Sequence, residues 1–172
     1  MKVLGIDPGL DGAIALVGDG YLSVRDTPTA GELKRRVVVA AELAGVIKAW
    51  EPDLAIIERV HAMPKQGVTS SFRFGQALGV LEGVVGALLI PVEYVTPQSW
   101  KKFFRLSASK DDARLKAIQT WPRISEELSR KKDADRAEAL LIAQYGFNRF
   151  CGTSITKSDL STSSSLFTPQ NI

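Results

Sequence analysis

With 172 residues, 45% of them apolar, the chain is long enough to bury a substantial core and points to one domain. A single cysteine, Cys151, excludes an internal disulfide framework and any cysteine-built zinc site, and a single histidine, His61, leaves carboxylates as the main candidate metal ligands, which suits magnesium or manganese. The net charge is only +3, no apolar run reaches the roughly 18 residues of a membrane span, and no basic-then-apolar leader opens the chain, so a cytoplasmic protein is expected.

Val3 to Ile6 is a short β-branched and leucine run that reads as a buried strand, and Pro8-Gly9 and Asp11-Gly12 are turn dipeptides that reverse it into a hairpin. Asp7 ends the first strand, where a carboxylate needs a hydrogen-bonded partner or a cation. Tyr21 to Thr27 alternates and closes a three-stranded antiparallel meander. From Gly31 to Trp50, apolar residues at Leu33, Val37, Ala40, Ala41, Ala44 and Ile47 recur at helical spacing until Pro52 stops the helix. Asp53 to Val60 is a short apolar run typical of a central parallel strand, with Glu58 near its end. Two strands thus each deliver a carboxylate near a C-terminal end, where open α/β sheets build their sites.

His61 to Ser71 carries Pro64 and Gly67, lacks a clean period and reads as a loop leaving that site. Phe72 to Leu89 reads as a helix with Gly75, Gly79, Gly83 and Gly86 on one face. Each interior glycine costs about 1 kcal/mol against alanine, so four together imply close approach of another backbone. Two partners suit that face: this domain's own sheet, or the same helix of a second copy. Pro91 to Val95 is a fifth strand, and Gln98 to Phe104 a short helix. Ser109 suits the N-cap of a helix ending near Trp121, with Asp111 and Asp112 in its first turn. After a basic linker, Arg123 to Lys132, a helix from Ala134 to about Gly146 should turn Ala137, Leu140, Leu141 and Tyr145 inward. Its Asp135 and Glu138, at i and i+3, share one face. Beyond Arg149 the composition shifts to Ser and Thr, so residues 1–149 are expected to form the domain and 150–172 a disordered tail.

The charge is unevenly spread. Lys101 to Lys132 holds ten Lys or Arg against four acids, which is +6 and leaves −3 for the remainder. A basic segment beside an acidic remainder suggests an anionic partner, nucleic acid above all. Lys101, Lys102, Lys110 and Arg114 are the candidate phosphate contacts in that segment, and Arg59, His61, Lys65 and Arg73 follow the second acidic strand as further DNA-binding candidates. Four clustered carboxylates (Asp7, Glu58, Asp135, Glu138) would repel one another unless divalent cations neutralised them. Two hard cations about 3.5 to 4 Å apart suit in-line hydrolysis of a phosphodiester without a nucleophilic side chain.

Taken in order, G-I-D-P-G at 5–9, I-I-E-R-V-H at 56–61, S-S-F-R-F-G-Q-A-L-G at 70–79, S-A-S-K at 107–110 and D-R-A-E-A-L at 135–140 resemble the RuvC-type Holliday-junction resolvases, most of all their phage-encoded branch. The resemblance spans about residues 2–149. It implies an RNase H-like α/β fold, a five-stranded mixed sheet with helices on both faces. It also implies a homodimer that resolves four-way DNA junctions by paired nicks, using two magnesium or manganese ions. Asp7, Glu58, Asp135 and Glu138 match the family's four metal-binding acids, Glu138 standing where bacterial members have Asp. Asp133 competes with Asp135 for the third place; the shared face with Glu138 favours Asp135. His61 falls where bacterial members carry an aromatic residue that meets junction bases. The alternatives are an RNA or RNA–DNA hybrid nuclease of the same fold, and a noncatalytic actin-like nucleotide-binding module.

Overall fold

The computed structural model describes residues 1–32, 35–60 and 67–151. Its main sheet has five strands in the order β3 (Tyr21–Asp26), β2 (Ala13–Gly18), β1 (Lys2–Asp7), β6 (Leu54–Glu58), β7 (Val92–Val95). The first three pair antiparallel, and β6 and β7 continue the sheet parallel to β1. Side chains alternate between the faces of a strand, so each strand feeds two cores. Val3, Leu54 and Ile56 belong to the core under α5 (Ala134–Phe150), while Leu4, Ile6, Ala55 and Ile57 belong to the one under α1 (Ala40–Trp50) and α2 (Val68–Ala87). The same parity carries Asp7 and Glu58 to the α5 face, and because Ile6 pairs with Ile57 the two acids emerge side by side.

α5 lies on β1 at a separation only glycine permits. A Cβ on Gly5 would sit 2.2 Å from the Ala139 carbonyl oxygen and 2.4 Å from the Ala143 nitrogen, and one on Gly146 would sit 2.3 Å from Ile56 Cγ1. This contact brings the first turn of α5 down to the ends of β1 and β6.

The expected helix over 31–50 is corrected to Ala40–Trp50. Val37–Val38 instead pairs with Thr29–Ala30 as a two-stranded ribbon (β5 and β4), in keeping with the extended preference of three consecutive valines at 37–39. Arg36 anchors that ribbon to the first hairpin by donating to Asp11 Oδ1 at 2.7 Å and to the Leu10 carbonyl. Within α1 the buried residues are Leu43 and Ile47; Val37, Ala40 and Ala41 are exposed, and Leu33 lies outside the described residues. α2 begins at Val68, earlier than expected, and α5 runs on to Phe150, one residue past the proposed domain boundary. Residues 61–66 of the expected loop and the tail from 152 lie outside the described residues. The segment read as a linker winds into 3₁₀ turns at Pro122–Leu128 and Lys131–Asp133.

The glycine face of α2 does not pack on the sheet. Gly75, Gly79, Gly83 and Gly86 are all exposed, and a Cβ built on any of them meets nothing within 4 Å. The reading of these glycines as intramolecular packing is therefore corrected; Ala77, Leu81 and Val85 face the core instead.

α5 is also tied to β3, where Arg136 grips Asp26 through Nε–Oδ1 (2.5 Å) and Nη2–Oδ2 (2.7 Å). The hydrogen bond from Arg136 holds the Asp26 carboxyl below its ordinary pKa. A depressed carboxylate pKa contributes stability above the unfolded-state value and loses it as pH falls through the folded-state value. Asp26 is 65% exposed, so solvent screens the pair and Asp26→Asn is expected to cost no more than about 1 kcal/mol near neutral pH. In urea titrations the gap from wild type should narrow below about pH 4, where the unfolded carboxyl takes up its proton.

Candidate active site

Three of the four predicted acids, Asp7, Asp135 and Glu138, meet where β1 and α5 converge, while Glu58 at the end of β6 is close enough to act electrostatically on Asp7 and Glu138 but lies outside that group. Carboxylate oxygens of Asp7, Asp135 and Glu138 all lie within 4.8 Å of one another. Asp7, Glu58 and Glu138 are buried, and Asp135 sits at the rim. Burial, reinforced by the negative charges of Glu138, Glu58 and Asp135, pushes the Asp7 carboxyl well above its ordinary pKa. Burial also raises Glu58, against the opposing hydrogen bond from Trp100, whose Nε1 donates to Glu58 Oε1 at 2.7 Å.

Two lysines answer this charge. Lys101, on α3 (Pro97–Phe103), places Nζ 2.8 Å from Glu138 Oε1 without the alignment of a hydrogen bond. Lys110 opens α4 (Lys110–Thr120), donates to Asp135 Oδ1 and comes within 4.0 Å of Glu138 Oε2. Burial alone would lower the Lys110 pKa, but the Asp135 carboxylate outweighs it and the net shift is upward. Ser109 caps α4 as expected, accepting from the Asp111 nitrogen, and so fixes where Lys110 starts.

The donor set fits a hard divalent cation. It is all oxygen, Asp7 and Glu138 are buried, burial and the neighbouring acids raise the Asp7 carboxyl, and Glu138 Oε1 has an ion pair with Lys101 but no aligned hydrogen-bond donor. Asp133 is not part of the cluster. It is buried immediately before α5, where it accepts from Arg130 Nη2 at 2.7 Å and from the Arg130 backbone at 2.8 Å. The Arg130 hydrogen bonds hold its carboxyl below the usual range. Asp133→Asn is expected to lower stability by about 1 to 3 kcal/mol and leave activity at permissive temperature, whereas Asp135→Asn should leave the melting temperature near wild type and remove activity. Thermal melts run beside cleavage assays on both variants check this.

The basic candidates fall into distinct settings. Lys102 is exposed beside Lys101, and Arg59 is exposed next to Glu58 with its guanidinium 5.4 Å from the Tyr94 ring centroid. Arg73 lines a cavity of about 530 Å³ with Leu10, Asp11 and Phe74. Arg114 turns inward, donating to the Leu128 carbonyl at 3.0 Å, and braces α4 against the following 3₁₀ turn. His61 and Lys65 lie outside the described residues. A polar cavity of about 350 Å³, lined by Asp26, Thr27, Arg36, Arg130 and Lys132, opens beside Asp135. Sequence reasoning missed Trp100 altogether: an aromatic residue inside a basic stretch carries no signal of the acid it meets 42 positions earlier.

No described helix is long and apolar enough to cross a membrane. No protein-family model matches the chain. Among curated proteins it is 30% identical over 164 residues to the crossover junction endodeoxyribonuclease RuvC of Thermomicrobium roseum, covering 87% of this chain and 95% of that one. It is 33% identical over 153 residues to RuvC of Rhodococcus opacus, covering 83% and 79%. Both are bacterial, so the phage-like placement rests on the motifs alone. Among solved structures it matches T. thermophilus RuvC in complex with a Holliday junction substrate, with TM-score 0.58, 20% identity, and coverage of 87% and 96%. It also matches the yeast mitochondrial Holliday junction resolvase, with TM-score 0.56, 14% identity, and coverage of 94% and 83%. At those identities the structures speak to the fold, which is RNase H-like, while the curated relatives speak to descent: the chain belongs to the RuvC family of crossover junction endodeoxyribonucleases.

Proposed function

We propose that this family member is a metal-dependent, structure-selective DNA endonuclease that resolves four-way junctions by paired nicks as a homodimer. The convergence of Asp7, Asp135 and Glu138 within 4.8 Å, with Glu58 alongside, is the observation that carries the reading. These four side chains would hold magnesium or manganese, two ions per site. Such a pair, when bound, supplies activation of a water and charge stabilisation at the leaving 3′ oxygen. Asp7 and Glu58 contribute fixed strand-end positions, and Asp135 and Glu138 contribute a helix face held against them by the Gly5 contact. Lys101 and Lys110 balance the acids and would offer positive charge to a DNA phosphate brought to the site. The domain that ends with α5 carries the activity.

The RNA-nuclease and actin-like readings are not favoured, since the relatives are named for junction cleavage and the one large sheet among the described residues shows no repeated half. Parallel assays on a four-way junction, linear duplex and RNA–DNA hybrid, with magnesium and with chelator, test the proposal. Preferential resolution of the junction, lost in chelator, is expected; equal or better cleavage of the hybrid would favour the RNase reading.

Lys102 is the cleanest probe of the DNA surface because it is exposed and outside the acid cluster. Each phosphate contact releases condensed counterions, so Lys102→Ala should flatten the slope of log K against log salt by roughly 0.9 with cleavage of bound junction little changed. Electrophoretic titrations at several salt concentrations check it.

A further inference from the structure

Trp100 is completely buried, and its indole N–H, a donor with no acceptor capacity, is spent on one oxygen of Glu58 at 2.7 Å. An indole buried in the core could find a backbone carbonyl as partner; this one reaches a carboxylate on another element. The geometry points to Trp100 as a positioning residue that holds Glu58 to single-oxygen ligation and thereby biases the centre toward a small octahedral ion over a larger one. This rests on the reading of Glu58 as a metal ligand.

Three observations support it. The bond engages Oε1, which leaves Oε2 as the oxygen not engaged by the indole. The anchor is rigid: Trp100 packs in the α5-side core, and α3 is fixed at its start by Thr96, whose side chain accepts from the Ser99 nitrogen, and by Pro97. The adjacent Lys101 sits 5.1 Å from the Trp100 ring centroid and pairs with Glu138, so one short helix fixes acids from β6 and α5 together. Magnesium demands near-ideal octahedral geometry and keeps few carboxylate contacts, whereas calcium accepts six to eight oxygens and often takes both from one carboxylate. A carboxylate with one oxygen held by an indole suits the first ion better than the second.

The test separates the N–H from the shape of the ring. In full-length protein Trp100 is replaced by 3-benzothienylalanine, which keeps the bicyclic shape and lacks the N–H, and Trp100→Phe and Glu58→Gln are made alongside. Mn²⁺ binding without DNA is followed by the EPR signal of the free ion, with Mg²⁺ and Ca²⁺ as competitors, so the readout is independent of turnover. The benzothienyl protein should bind Mn²⁺ and Mg²⁺ roughly tenfold more weakly, at the lower end of the range for lost outer-shell partners, with Ca²⁺ affinity changed less than about twofold. Trp100→Phe should follow the same pattern. Wild-type binding in the benzothienyl protein, or equal weakening for all three ions, overturns the inference while leaving Glu58 a ligand if Glu58→Gln is itself impaired. Unchanged binding in Glu58→Gln overturns the ligand reading and this inference with it. Should Trp100→Phe not fold, the benzothienyl protein decides alone.

Discussion

A Glu58→Gln protein should bind a four-way junction as tightly as wild type, or slightly more tightly, and cleave it more than about a hundredfold more slowly, exceeding the 10- to 100-fold that loss of a ligand's outer-shell partner produces. The substitution is nearly isosteric, and the glutamine oxygen can still accept from Trp100 Nε1, so the packing around β6 survives. What changes is charge. The site loses one of four carboxylates that repel each other in a buried setting, and with it one oxygen donor for a cation. Binding should ease because one negative charge near the phosphate path is gone. Gel-shift titrations in calcium or chelator, paired with single-turnover cleavage in magnesium, give both numbers. Normal nicking by Glu58→Gln, or wild-type cleavage in chelator, would sink the metal mechanism.

The second large effect concerns assembly. The exposed stripe of α2 runs from Val68 and Phe72, which are 87% and 71% exposed, through Gly75, Gly79, Gly83 and Gly86. We expect it to form the two-fold contact of the dimer, where absent side chains let two helices approach closely. Gly83→Leu is then a clean test, because a Cβ at Gly83 meets nothing in the protomer and the change removes about 0.8 to 1.0 kcal/mol of helix-propensity penalty. The variant should fold at least as stably as wild type. Overpacking of about 1 to 3 kcal/mol at the contact should weaken dimerisation roughly 5- to 150-fold. Light scattering across micromolar concentrations should show monomer, and junction assays should show nicked product in place of resolved product. A Gly83→Leu protein that remains dimeric and resolves junctions would place the interface elsewhere.

These two tests differ in how much of their basis the sequence could show. That Asp135 and Glu138 share a face follows from their i, i+3 spacing, a local pattern the structure keeps; the sequence also showed Asp7 and Glu58 near their strand ends, but that they emerge side by side depends on the pairing of Ile6 with Ile57, which is not local. The spacing of the α2 glycines was equally legible, but which way their face points depends on where Ala77, Leu81 and Val85 find the sheet, a relation no window of sequence contains. The start of α1 went wrong for the same reason. Helical spacing continues back to Leu33, yet Arg36 is captured by Asp11 and the Leu10 carbonyl, 25 and 26 residues away, and Val37–Val38 pairs with Thr29–Ala30. Charge was legible as a total and not as a direction. Lys101 and Lys110 meet acids from a different segment, and Arg114 turns onto a backbone carbonyl.

The backbone contact between Gly5 and Ala139 also orders events in time. Asp7 belongs to the first described strand, and its partners Asp135 and Glu138 belong to the last helix described, so a nascent chain that stops before α5 lacks a complete site. Synthesis runs from the N-terminus, and contacts this distant in sequence form late because a long loop must close before they reward it. A growing chain therefore carries Asp7 and Glu58 without the two acids of α5. The capacity to cut DNA arises only when α5 docks, which confines nuclease activity to chains in which the whole sheet and α5 have folded together.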